Sequence, residues 1–353
     1  MQFDLSEVRT GVITRAKGCP LRGDERDPWG LISNAGLAGL MVPRAFGGLG
    51  QGVFETALAV EEMAAGGIGA ALADVVHRQA VLGGRLIAQC GCANLQALVL
   101  PGFCSGQVRI CLAMDAPDPT QRAPHFGVYV ENDALHGHVA APKGLADATH
   151  LLIPARDLAI FGLAGQDSTL YLVSIARAGI ISEYGLRFDG VQVGDDDRLG
   201  ERGQGWRVLR RGLGLNQIVT TAALLGAGRV AMTLGKTGAE TFADPSDPLQ
   251  ASLQAPLARH WAGLEAARVL LHKAAWLADR HRPWLAEANA ARLIAGESAV
   301  ALAEHAIPLV GPEATRLWRD ARATQFSAVS HTTVMRCIAG QTLDLPRPVA
   351  ARR

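Results

Sequence analysis

Apolar residues follow two different rhythms along this chain. Through most of it they recur at every third or fourth position, the spacing that turns one face of an α-helix inward. Between residues 107 and 202 they fall instead in short runs rich in β-branched and aromatic side chains, VRICLAM, HFGVYVEN, ALHGHVAA, THLLIPA, STLYLVSIA and LRFDGVQV. Asp, Pro and Gly separate these runs, as turns separate strands. The predicted fold class is α+β. An N-terminal helical domain is expected over residues 1–105, a middle antiparallel β-barrel or sandwich over 106–203, and a C-terminal four-helix bundle over 204–353.

In the first part, helical segments are expected over residues 5–17, 29–40, 53–65, 70–90 and 93–100. The stretch MVPRAFGGLGQG interrupts them, because Pro43 cannot continue a helix and Gly47, Gly48 and Gly50 permit positive φ. It lacks a preceding strand and the G-x-x-x-x-G-K-[ST] pattern, so it reads as a tight turn and not as a phosphate cradle. In the last part, helices are expected over 206–234, 257–279 and 284–310, with a final one starting near Ser330. Residues 316–342, RLWRDARATQFSAVSHTTVMRCIAGQT, hold a break of small polar residues between two helices. Breaks on a rigid scaffold are where site residues gather.

Composition narrows the function. With 353 residues, 49% hydrophobic and 19% charged, the chain can bury a large core. Its 34 basic and 33 acidic residues leave a net charge of +1, without the basic footprint that nucleic-acid binding needs. No run of about 18 uncharged apolar residues occurs, so no membrane span is expected. The opening MQFDLSEVRTGV is too acidic and polar for a signal peptide. Cys19, Cys90, Cys92, Cys104, Cys111 and Cys337 are scattered, which suits a reducing cytoplasm better than a disulfide framework. Cys90 and Cys92 form a C-x-C pair with no second ligand pair at metal spacing, so no metal site is expected.

Six segments in order resemble the acyl-CoA dehydrogenase family of flavoproteins. Residues 36–50, GLAGLMVPRAFGGLG, look like its "GLxGLxVPxxxGGxG" block, and Glu61 and Glu62 fall at its acidic pair. FDGVQV at 188–193, LGERGQGW at 199–206, LEAAR at 264–268 with Ala275 and Trp276, and LWRDAR at 317–322 complete the set. The resemblance implies FAD bound between the β domain and the bundle, an acyl-CoA or carrier-bound acyl thioester as substrate, and an oligomer (dimer or tetramer) built through the C-terminal bundle. It also implies a glutamate that takes the α-proton while the β-hydride goes to the flavin.

The ligand motifs depart from that pattern. Counting on from RDAR puts Ala328 at the usual glutamate, with Ser327, Val329 and Ser330 beside it. The family's other base position, on the first bundle helix, is Asn216 in GLGLNQ. Neither side chain is a useful base near neutral pH. By position, Ala113, Met114, Asp115, Pro142, Lys143, Gly311 and Ser330 would contact the cofactor. Asp115 stands where a hydroxyl would meet the flavin, and its charge would oppose a reduced, anionic ring. DPTQR at 118–122 replaces a Gly-Ser-Asp, and ETFADP at 240–245 lacks an arginine that reaches a neighbouring subunit's FAD.

His331 and Asp115 are substitute candidates for the base. His136 and His138 share one strand face and offer two metal ligands at most. Arg319 and Asp320 are expected to pair at a helix start. Arg207, Arg210 and Arg211 share one helix side that is solvated, forms an interface or meets a CoA phosphate. Three readings follow: an FAD-dependent oxidoreductase acting on the CH–CH bond of an acyl thioester; a non-catalytic or FAD-poor subunit beside a catalytic homologue; or a repurposed scaffold acting on a thioester without desaturation.

Overall fold

The structure, a computed structural model, describes residues 7–21, 25–115, 126–160, 168–178, 181–182, 185–241, 248–326 and 329–345. The helices are α1 (Glu7–Lys17), α2 (Pro28–Asn34), α3 (Val53–Met63), α4 (Leu72–Val76), α5 (Leu86–Cys90), α6 (Ala93–Cys104), α7 (Gly205–Gly214), α8 (Asn216–Thr241), α9 (Pro248–Asp279), α10 (Leu285–Val310), α11 (Pro312–Thr324) and α12 (His331–Cys337). The strands are β1 (Ile110–Leu112), β2 (Val128–Glu131), β3 (Ala134–Ala140), β4 (His150–Asp157), β5 (Ser168–Ser174), β6 (Ile181–Ser182) and β7 (Gly185–Gln192). They group into two compact units.

One unit comprises Met1–Pro28, Val53–Asp74 and Asn216–Arg353. α10 packs along α8, α9 and α11, and α3 packs on α8 and α9. Small residues allow the close approach. Ala222 and Ala223 of α8 and Ala291, Ala295 and Ala299 of α10 are buried. A Cβ on Gly226 would lie 2.3 Å from the Glu61 carbonyl oxygen, so α8 meets the backbone of α3 there. Glu61 and Glu62 of α3 join this packing. Arg229 of α8 donates to Glu62 at 2.8 Å and lies 3.4 Å from Glu61, while Arg268 of α9 donates to Glu61 at 3.1 Å and pairs with Glu265. Burying one carboxylate against two guanidinium groups satisfies it, and removing one partner would strand a charge.

The other unit comprises Trp29–Gly52 and Val75–Leu215. Its sheet runs β1-β4-β2-β3-β7-β6, with β5 paired to β4. The expected antiparallel barrel or sandwich is corrected here to a mixed sheet that does not close. β4 lies antiparallel to β5 along His150–Arg156. Its other edge takes β1 near His150 and β2 near Arg156, both parallel. One long strand thus serves two short ones along the same edge. Buried Asp157 at the end of β4 accepts from Arg202 at 2.6 and 3.0 Å and from Thr169 at 3.0 Å. The Gln79 side chain exchanges two hydrogen bonds with the Ile110 backbone, fixing β1.

The glycine-rich stretch is the expected tight turn. Gly47 and Gly50 have φ of 85° and 63°, and a Cβ on Gly48 would lie 2.1 Å from the Val42 carbonyl oxygen. Residues expected as one helix over 206–234 form α7 and α8, with Leu215 between them. By length and composition, Gly205–Glu240 and Leu285–Val310 would suffice to cross a membrane, which the search for uncharged runs missed. The buried residues Ile218, Val219, Leu224 and Leu225 of α8, and Ala295, Leu302 and Ala303 of α10, mark these two helices as core helices of their unit. All six cysteines are free.

Asp279 at the end of α9 accepts from the Val53 and Phe54 amides at 2.7 and 2.9 Å, capping the first turn of α3. A carboxylate on those orphan donors also meets the positive end of the helix dipole. Asp279→Ala is expected to lower unfolding free energy by about 1–2 kcal/mol in urea titrations, with Asp279→Asn losing less.

Candidate functional site

The residues named from sequence fall into two groups, one in each unit. In the sheet unit, Ala113 continues β1, with its amide donating to Leu152 at 2.9 Å, and Met114 and Asp115 follow. These three line a cleft with Phe126, Gly127, Val128, Val139 and Pro154. It is a narrow depression, and residues 116–125, between Asp115 and Phe126 in the chain, lie outside the described residues. Its side chains are apolar except for Asp115, with backbone polar atoms exposed between them. The Asp115 carboxylate is exposed, and its Oδ1 accepts from the Ala140 amide at 3.3 Å. Phe126 meets Trp206 edge-on at 6.2 Å, and the buried Trp206 indole nitrogen has no partner among the described residues. Apolar side chains with aromatic backing suit contact with one part of a flat ring, and the Asp115 carboxylate is the one charge beside it.

Pro142 and Lys143 follow β3. The Lys143 carbonyl accepts from Arg78 at 3.5 Å and from the Cys111 thiol at 3.4 Å. The Arg78 guanidinium lies under the next residue, Gly144, where a Cβ would come within 2.8 Å of it. This loop is therefore shaped by a cation, a feature that the Pro142–Lys143 pair did not reveal in the sequence.

In the helical unit, the centre of the other group is Arg292 of α10, with no exposed surface. Its Nη1 donates to the side-chain oxygens of Gln217 at 2.8 Å and Asn216 at 3.1 Å. Its Nη2 donates to the Thr324 and Val329 carbonyls at 2.8 and 3.0 Å. Burial pushes the guanidinium down to about 10, still charged at neutral pH. Asn216 also accepts from the Thr220 hydroxyl at 3.2 Å. The family's second base position is thus filled by a neutral amide whose oxygen faces a buried cation. Ala328, at the first base position, lies outside the described residues, as do 118–122 and part of 240–245.

Ser330 caps α12, its Oγ accepting from the Thr333 amide at 3.2 Å. His331 is the first residue of that helix, and its amide donates to the Gln325 carbonyl at 3.0 Å. Its ring packs on α10, where a Cβ on Gly296 would fall 2.7 Å from Nε2. That nitrogen is buried with no partner among the described residues. Burial, then the neighbouring Arg292 and Arg322 charges, holds the imidazole below its ordinary range, so it is neutral at pH 7. Gly311, with φ of 69°, joins α10 to α11.

Three other groups of residues singled out in the sequence take the following places. Asp320 pairs with Arg316 at 3.5 Å, one turn earlier within α11, and not with Arg319 at a helix start. His136 stacks on Tyr129 at 5.5 Å, and no His, Cys, Asp or Glu cluster suited to a metal occurs among the described residues. Arg207, Arg210 and Arg211 are exposed, with Arg207 donating to Gln204 at 3.0 Å. Sequence reasoning missed Arg292. Its signal was available: it is the one Lys or Arg between residues 285 and 310, and it falls in register with the buried Ala288, Ala295 and Ala299.

Comparison with known proteins follows this geometry closely. Residues 12–107 match the family described as acyl-CoA dehydrogenase, N-terminal domain, and residues 203–340 match acyl-CoA dehydrogenase, C-terminal domain. The chain is 30% identical over 302 residues to benzylmalonyl-CoA dehydrogenase of Aromatoleum aromaticum, covering 78% of this chain and 76% of that one. Among solved structures, butyryl-CoA dehydrogenase from Megasphaera elsdenii has a TM-score of 0.83 at 20% identity, covering 97% of this chain and 100% of that one. A structure of PigA with FAD and proline has a TM-score of 0.84 at 17% identity, covering 98% and 100%. At such identities the two structures establish the fold.

The His331 environment has a measurable consequence. Its folded-state pKa lies below the unfolded value, so the unfolded chain binds more protons between the two. Its contribution to stability is complete above about pH 6.5 and lost as pH falls toward the folded pKa. His331→Gln is expected to flatten the fall in urea midpoint below about pH 6.5. An unchanged pH slope would show that the ring is solvated.

Proposed function

The chain belongs to the acyl-CoA dehydrogenase family, and we propose that it acts as an FAD-dependent oxidoreductase on the CH–CH bond of an acyl thioester carried by CoA or by a carrier protein. The support is one coincidence: family matches at both ends of the chain flank, in sequence, a sheet in which Ala113–Asp115, the residues that the family pattern assigns to the cofactor, line a shallow depression.

Desaturating a saturated thioester removes a proton from Cα and a hydride from Cβ. FAD, when bound, supplies the acceptor for the hydride. The chain's part is to hold and shield. Ala113, Met114 and Phe126 give the apolar wall, Asp115 is held by the Ala140 amide, and Pro142 and Lys143 present a loop braced by Arg78. Gly311 and Ser330 are assigned the remaining contacts by position.

The proton has no carboxylate waiting for it at either usual place. Asn216 is an amide bonded to a cation, and Ala328 is a methyl group. Of the described groups on this loop, His331 is the one kept in the neutral form that a base requires. Asp115 remains the alternative acceptor, exposed at the cleft. Trp261 and Val269 of α9 are 55% and 62% exposed, apolar area suited to a homo- or hetero-oligomer through the bundle. A cytoplasmic setting fits the six free thiols.

The purified full chain is expected to be yellow, with its visible band bleaching anaerobically on addition of butyryl-, glutaryl- or 3-phenylpropionyl-CoA. A flavin-loaded protein that none of them reduces would overturn the proposal. Ala328→Glu should raise turnover by at least about a hundredfold, the effect of a positioned general base, read as the initial rate of dye reduction. Unchanged turnover would place the limiting defect elsewhere in the site.

A further inference from the structure

Arg292 binds one of the two positions where a base is expected, and residues that flank the other in sequence. One nitrogen of its guanidinium binds Asn216 and Gln217 on α8, and the other binds carbonyls on either side of Ala328 in the sequence, at Thr324 and Val329. These contacts join three separate elements through one planar group. Only a guanidinium presents donors in a fixed fork of this kind, and a lysine ammonium could satisfy one or two of the four acceptors.

The location is costly for mere packing. The side chain has no exposed surface and lies in the alanine stripe of α10, where Ala288, Ala295 and Ala299 are its neighbours in register. An apolar side chain would serve that stripe without the desolvation of a charge. The carbonyls it binds close the C-terminal end of α11 and precede Ser330, the cap of α12. Thr324 itself is turned inward, its hydroxyl donating to Ala321 at 2.7 Å. Without Arg292, two inward-facing carbonyls would lack these donors.

We infer that Arg292 is a positioning residue for the reaction, fixing the Thr324 and Val329 carbonyls relative to Asn216 and Gln217 of α8. It touches no reacting atom in this arrangement and acts through the loop that it holds. This role rests on the oxidoreductase reading of the chain.

The experiment compares wild type, Arg292→Lys and Arg292→Gln as flavin-loaded full chains, by amide hydrogen exchange and by steady-state kinetics with butyryl-CoA. Arg292→Gln should speed exchange about tenfold in peptides covering residues 329–337, while peptides from α9 stay as in wild type. Arg292→Lys should show a smaller increase confined to the same peptides. In both variants kcat should fall while KM changes little, with Arg292→Lys retaining more activity. Exchange at 329–337 equal to wild type, or an increase spread evenly over α8, α9 and α10, would overturn the inference. Should Arg292→Gln fail to fold, the location of the Arg292→Lys change decides alone. A wild type that no acyl-CoA reduces removes the oxidoreductase reading, and the exchange comparison still reports whether Arg292 holds the loop.

Discussion

A positive charge that no water reaches dictates how the helical unit is built. The Arg292 guanidinium has to be met by acceptors, and the unit supplies them from two side chains on α8 and from two carbonyls around the α11–α12 junction. Each acceptor must arrive in the plane of the fork, so the charge converts loose helix packing into a defined geometry. A purely apolar contact would tolerate sliding by a residue. This one does not, because a displaced carbonyl leaves both itself and a donor unsatisfied.

The same logic recurs elsewhere with opposite sign. Glu61 is buried between Arg229 and Arg268, and Asp157 between Arg202 and Thr169. In each case a buried ion sits where separate segments converge: α3, α8 and α9 in one unit, and β4, β5 and the turn before α7 in the other. Apolar area supplies the bulk of the stability. The buried ions select which arrangement of the apolar faces is reached.

Much of this was legible in the sequence because it is local. Six of the seven strands stand where β-branched runs predicted them, and α10 begins one residue from its expected start. The turn at Gly47–Gly50 follows from residues adjacent in the chain. Strand direction was not legible. Short connections suggested hairpins, yet β4 takes β1 and β2 in parallel on one edge, a choice made by tertiary packing. The candidate site divided the same way. Asn216 and Ser330 were named by position, whereas Arg292 was passed over, since a helical cation is ordinarily solvated and its place in an alanine register was the one sign otherwise. The Arg319–Asp320 pair failed for a geometric reason: consecutive helical residues point apart, and the partner lies one turn away at Arg316.

The cap that Asp279 places on α3 spans 226 residues of sequence. During synthesis, α3 leaves the ribosome long before α8, α9 or its own capping carboxylate exists. Its inward face, with Val60 and Met63, therefore waits for α8 and α9 while residues 75–215 emerge, although α1 is already there to pair Arg9 with Glu55 and Phe54. The helical unit can close only after most of the chain is made. α3 is thus made early and secured late, and for that interval its apolar face is open to wrong partners.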